Sequence, residues 1–148
     1  MNIDFRNDNY RFLVRCSAII LNENKSKVML FQIQGRDFWM LPGGRVEYLE
    51  DSKIAITREI EEELGQKLKF KLICIEENIL KERKIHSIDF CYVSVSKEEN
   101  LIPQEDKNQV FEFVSIDDID KYDIKPDSIK EIIKNIDNIN IQHTINYE

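Results

Sequence analysis

The chain has 148 residues, a length that suits one domain with a substantial apolar core. Its 42% hydrophobic and 33% charged residues are an ordinary globular mix, and no stretch approaches the ~20 apolar residues of a membrane span. The net charge of −7 argues against general nucleic-acid binding through a basic surface, yet leaves room for a phosphorylated ligand, because a bound cation inverts the local charge logic.

The N-terminus shows no charged-then-apolar leader pattern, so the expected compartment is the cytoplasm. Residues 11–21 and 28–34 read as two strands joined by a polar turn, and hence as a hairpin. A short apolar run, Phe38 to Leu41, is ended by Pro42-Gly43-Gly44. Asp51 or Ser52 then caps a helix that runs to about Leu64, with Gly65 placed to end it. Ile56, Ile60 and Leu64 form its buried stripe. Strands are expected at 68–75, 86–95 and 110–114, with 78–84 irregular, a polar turn or short helix at 117–120, a helix at 126–136 and a frayed end. Cys16, Cys74 and Cys91 each sit in an apolar strand, which suits buried free thiols in a reducing compartment. This order of elements points to a mixed α/β or α+β sandwich.

The densest chemistry lies on the first helix. Glu59, Glu62 and Glu63 fall at i, i+3 and i+4, so they project from one face and repel one another. A run of acids is often only a solvated face. A hard divalent cation among the three would remove the repulsion, since Mg²⁺ takes a few carboxylates together with substrate phosphates. Glu50 reads either as a residue favoured near a helix N-terminus or as a partner of Arg58. Arg58 reads either as a simple i,i+4 partner of Glu62 or as the residue that orients a carboxylate.

Residues 44–66 resemble the Nudix box, Gly-x5-Glu-x7-Arg-Glu-U-x-Glu-Glu-x-Gly-U with U apolar. Gly44, Glu50, Arg58, Glu59, Ile60, Glu62, Glu63 and Gly65 match it, and Gln66 departs at the last position. Trp39, the Leu41-Pro42-Gly43-Gly44 approach, Glu47 and Ala55 also look like the family, while Tyr48 stands where glycine is frequent. The resemblance implies an α/β (α+β) fold: a Nudix-like α/β/α sandwich with a mixed sheet and a loop-helix-loop metal site, residues 1–148 forming one domain with its core at about 10–136.

It further implies metal-dependent hydrolysis of a diphosphate bond in a nucleoside diphosphate linked to another moiety: a nucleoside triphosphate, an ADP-ribose-like compound or a nucleotide sugar. Mg²⁺ or Mn²⁺ is the implied cofactor and a small-molecule nucleotide the implied partner, without a membrane, and with a homodimer admitted because members often pair. Glu59, Glu62 and Glu63, with the Gly43 carbonyl, would hold the metal. Arg58 and Glu50 would support them, and one of the carboxylates would take a proton from water. A further acid often lies outside the box, and Glu105 and Asp106 are the candidates in a charged loop that also reads as merely solvated; Glu112 is a weaker one. Phe38 and Trp39 read as walls of a base pocket or as core, and His86 as a base contact or a packed strand residue. Arg11, Arg15 and Arg36 are all placed to reach a phosphate, with nothing to rank them. The different function class left open is a nucleotide-sensing regulatory module that keeps the fold without the chemistry. The intact carboxylates argue against it.

Overall fold

A computed structural model describes residues 1–99, 108–137 and 140–148. Its centre is the long strand β2 (Arg11–Leu21), preceded by the short β1 (Asp4–Arg6). There follow β3 (Lys27–Ile33), β4 (Gly43–Arg45), helix α1 (Ser52–Leu64), β5 (Lys71–Leu80), β6 (Ile85–Val95), β7 (Gln109–Ser115), a 3-10 turn (Ile116–Lys121), helix α2 (Ser128–Lys134) and β8 (Gln142–Tyr147). The sheet order is β7-β3-β2-β6-β5-β8, with β1 and β4 also paired to β2. The sheet is mixed: β2 runs parallel to β6 and β5 parallel to β8, while the other pairs are antiparallel.

Side chains alternate across a strand, so β2 serves two cores. Cys16, Ala18 and Ile20 face α1, where Ala55, Ile56, Ile60 and Leu64 meet them. Ile19 and Leu21 face the other way, towards Ile129, Ile132 and Ile133 of α2. The apolar stripe expected on α1 is therefore buried, each such side chain contributing about 1.5–3 kcal/mol. Asp51 caps α1, its carboxylate accepting from the Ile54 amide, and Gly65 closes it in the left-handed region at φ 69°. Among the described residues no helix is long and apolar enough to cross a membrane.

One feature of the sheet positions the box. The register of β2 and β3 pairs only Leu21 with Val28. Further along, the chain before α1 lies between the two strands. Met40 and Phe31 exchange two amide–carbonyl bonds of 2.7 and 2.8 Å, the Ala18 amide donates to the Pro42 carbonyl at 2.9 Å, and Gly43 and Gly44 pair with Ser17 and Cys16. The expected hairpin is thus joined at one end and opened at the other by the loop it carries.

Three expectations need correction. The stretch 78–84 is strand as far as Leu80, because Asn78, Ile79 and Leu80 pair with Ser87, His86 and Ile85 across a tight turn. The end expected to be frayed holds a strand: Gln142–Tyr147 adds β8 in parallel to β5, and its mostly polar, mostly exposed residues show no apolar pattern of their own. Helix α2 is also shorter than 126–136.

Candidate active site

The box loop and α1 are tied by one side chain. Arg58 forks onto Glu50, Nε to Oε2 at 2.8 Å and Nη2 to Oε1 at 2.9 Å. Its Nη1 donates to Glu59 at 2.9 Å and to Glu62 at 3.3 Å, and its Nη2 also reaches the Arg45 carbonyl at 3.2 Å. Arg58 thus makes both contacts, the two-bond fork to Glu50 being the better formed and the i,i+4 pair with Glu62 the longest. The guanidinium holds Glu50 below the usual carboxylate range, and Glu50 in return raises Arg58 further. Glu50 also accepts the Glu47 amide at 3.0 Å, which closes the loop ahead of the helix.

The Glu59 carboxylate lies directly over Gly44, in the space that the β-carbon of any other residue there would enter. At Gly43 a β-carbon would run into the backbone carbonyl of Cys16. Glycine at both positions follows from packing of the loop between β2 and α1. Glu63 is buried, at 8% exposure, next to Leu64, whereas the Glu62 side chain is 44% exposed. Glu61 points to solvent and meets Lys67 at 3.7 Å. Among the described residues no three acidic, Cys or His side chains converge on one cation position. In this arrangement Glu50, Glu59 and Glu62 all lean on Arg58.

The departure at Gln66 has a local explanation. Its side chain accepts from the buried Ser96 hydroxyl at 2.9 Å and donates to Glu98 at 3.0 Å, so a polar pair at the end of β6 replaces an apolar contact. The glycine-like position is Leu49, not Tyr48: Leu49 sits at φ 66° with its side chain in solvent.

The remaining candidates scatter. Trp39 packs against the α2-side core and stands edge-on to Tyr122 at 5.9 Å. Arg36 is exposed and lies 5.7 Å over the Phe38 ring. His86 is exposed and meets Phe12 edge-on at 5.8 Å. Glu112 is exposed on β7, opposite Leu30. Arg11 is bound to Asp4 by bonds of 2.8 and 2.6 Å, and Arg45 joins the same carboxylate at 3.1 Å. Arg15 lies 3.8 Å from Asp89. Glu105 and Asp106 fall outside the described residues. The sequence reading passed over Glu76 and Asp89, although each is an acid at an inward position of an apolar strand, which is a visible break in pattern.

The comparisons follow this geometry. The sequence model of the NUDIX domain matches residues 12–136. Among solved structures, the chain is similar to a mutator MutT protein from Bacillus halodurans, at 22% identity over 89% of this chain and 88% of that one, with a TM-score of 0.71. It is also similar to a MutT NUDIX hydrolase from Burkholderia pseudomallei, at 27% identity over 72% and 84%, with a TM-score of 0.62. A third is the dihydroneopterin triphosphate pyrophosphohydrolase of E. coli, at 17% identity over 82% and 92%, with a TM-score of 0.68. With the family pattern covering the strands, the glycine loop and the carboxylate helix together, the chain belongs to the NUDIX family and is an enzyme of that family's pyrophosphate-hydrolysing type.

Proposed function

We propose that the chain hydrolyses a phosphoanhydride bond in a nucleoside diphosphate linked to another group, with a nucleoside triphosphate, an ADP-ribose-like compound or a nucleotide sugar as substrate, and that Mg²⁺ or Mn²⁺ is required. The observation that carries this reading is the seat of Glu59. A half-buried carboxylate is held over a residue without a β-carbon, one helical turn before a buried acid, Glu63, and a guanidinium fork fixes its loop.

Carboxylate oxygens are the donor type a hard divalent cation prefers, but here they do not converge, so binding one would draw Glu59 and Glu62 away from Arg58. Glu59, Glu62 and Glu63 would hold it, with the Gly43 carbonyl beside them. When bound, such a cation neutralises phosphate charge and lowers the pKa of a coordinated water. The chain's own residues do the rest. Arg58 and Glu50 keep Glu59 and the loop in one orientation, and one carboxylate of the set accepts the proton of the attacking water. Arg58 cannot be that base, since a guanidinium does not deprotonate in a protein. The E. coli neighbour acts, by its name, on a triphosphate, which supports placing triphosphates in the substrate panel.

Release of phosphate or pyrophosphate from a nucleotide panel, with and without Mg²⁺ or Mn²⁺, tests the reading. Metal-dependent release from at least one compound is expected. Tight nucleotide binding with no hydrolysis of any compound would instead favour the regulatory module.

A further inference from the structure

Phe5, Phe12, His86, Ile79 and Tyr147 stand in register across β1, β2, β6, β5 and β8. Cross-strand partners share a face, so the row is continuous. Further along β2 on the same face, Val14 and Cys16 pack with residues of α1. The row itself is left open: Phe5 is 58% exposed, and His86 and Tyr147 are exposed too. Single exposed apolar side chains are ordinary, whereas a contiguous row of exposed rings is the feature that marks a binding surface.

The middle of the row floors a cavity of about 580 Å³. Its walls are the loop after β1, with the exposed ring of Tyr10, and the turn between β5 and β6. Small-ligand pockets run to roughly 300–1,000 Å³ and are mostly apolar with a few charged groups. Here the charged groups are cationic. Arg6, Arg11, Lys81 and Lys84 line the cavity and no acid does, although the chain carries 28 acids against 21 lysines and arginines. Arg11 is engaged by Asp4, through bonds of 2.8 and 2.6 Å. Arg6 reaches that carboxylate only at 3.7 Å and is exposed. Among the described residues no carboxylate pairs with Lys81 or Lys84, which lie over the rings of Tyr147 and Tyr10 at 5.4 and 6.0 Å.

We propose that this cavity is a second, non-catalytic site for a small planar anion: a flat aromatic body that carries a phosphate or a carboxylate. The rings of the row and of Tyr10 give that body faces to stack on. Lys81, Lys84 and Arg6 meet its charge at the rim. Neither half of the ligand suffices alone. A bare anion beside solvated cations gains little, and a neutral ring leaves the cations without a counter-charge. The site lies apart from the box. Gly44 pairs with Cys16, four positions from Phe12, so about 13 Å of strand separates the two. The proposal therefore needs neither the cation nor the hydrolase reading. It also gives His86 and Arg11 a place, as walls of this cavity rather than contacts of the box.

The test is equilibrium binding of 1-naphthyl phosphate to the full chain in EDTA, followed by backbone amide chemical shifts. 1-Naphthol and inorganic phosphate supply the two halves separately, and 1-naphthoate and AMP stand for the carboxylate and nucleotide sources. The naphthyl phosphate is expected to bind about tenfold or more tighter than either half, with shifts centred on residues 5–12 and 79–86. Whichever of 1-naphthoate and AMP binds comparably names the source, and binding of neither would overturn the proposal. Lys81→Glu combined with Lys84→Glu is expected to weaken binding at least about tenfold, and Tyr10→Ala at least about threefold. Equal binding of either half, shifts centred on α1 and the box loop, or unchanged affinity in the folded variants would each overturn it. So would a wild-type dimer that buries the row and excludes the probe, which would assign the face to a second copy. A nucleotide KM raised about tenfold in the lysine variant would place the cavity in the substrate site and count equally against it. The wild-type shift map decides the matter even if a variant fails to fold.

Discussion

The Glu59 carboxylate occupies the volume that a β-carbon at Gly44 would take. Gly44→Ala must therefore push this acid from its seat or open the loop from α1. The expected result is a variant that folds, since the obstacle is the far end of a flexible side chain, but that turns over at least about tenfold more slowly and needs more Mg²⁺ for half-maximal rate. A metal titration of activity checks it; an unchanged midpoint would mean that the position of Glu59 does not matter.

Arg58→Lys keeps a positive charge and loses the fork, because an ammonium cannot bond both Glu50 oxygens and Glu59 in one plane. The expectation is a fall in kcat of about 10- to 100-fold with little change in KM. Combining it with Glu50→Gln should add little, since both changes break one contact. Steady-state kinetics on the single and double variants decide it, and full additivity would show that the two residues act separately.

Leu49 holds a left-handed backbone with its side chain in water, so it bears the conformational cost without a packing return. Leu49→Gly is expected to stabilise the protein by about 1 kcal/mol, seen as a rise of ~2–4 °C in Tm at unchanged kcat. A lower Tm would show that Leu49 makes a contact in solution that offsets its backbone.

Much of this arrangement was legible in the residues. The helix from Ser52 to Leu64 announced itself through Asp51, Gly65 and the Ile56-Ile60-Leu64 stripe, all of them local signals. Strand β2 was equally plain, being apolar on both faces. By contrast β8 is a strand only because the edge of β5 is open to it, a non-local fact that Gln142 to Tyr147 do not encode in their own pattern. The same holds for the site. The box acids are recognisable by their spacing alone, but Glu76 and Asp89 lie thirteen positions apart and meet only through the register of β5 and β6. Even Arg58 left two readings open, because the loop that brings Glu50 to it is not helical.

The buried acids predict an unusual pH dependence. Burial, and then the neighbouring charge of Asp89, raise Glu76 from 4.5 to about 8. Burial raises Asp89 as well, with Arg15 and Ser17 opposing. Between these values the unfolded chain releases the Glu76 proton while the folded chain keeps it, so stability falls as pH rises from about 4.5 to 8 and then levels. Asp4, lowered to about 2 by Arg11, acts the other way: its contribution is present above its unfolded value of 3.8 and is lost as pH drops towards 2. Denaturant melts are expected to show wild type losing stability from pH 5 to 8, by an amount on the order of a few kcal/mol. Glu76→Gln should flatten that slope. A variant slope as steep as wild type would place the origin elsewhere.

The central claim is that the carboxylates of α1 hold the cation that hydrolysis requires. Its most direct test is Mg²⁺-dependent turnover of Glu59→Gln and Glu63→Gln beside wild type, with melting curves to verify folding. The expected result is a loss of about 100-fold or more in each variant with the fold intact. Near wild-type turnover in both would contradict the assignment.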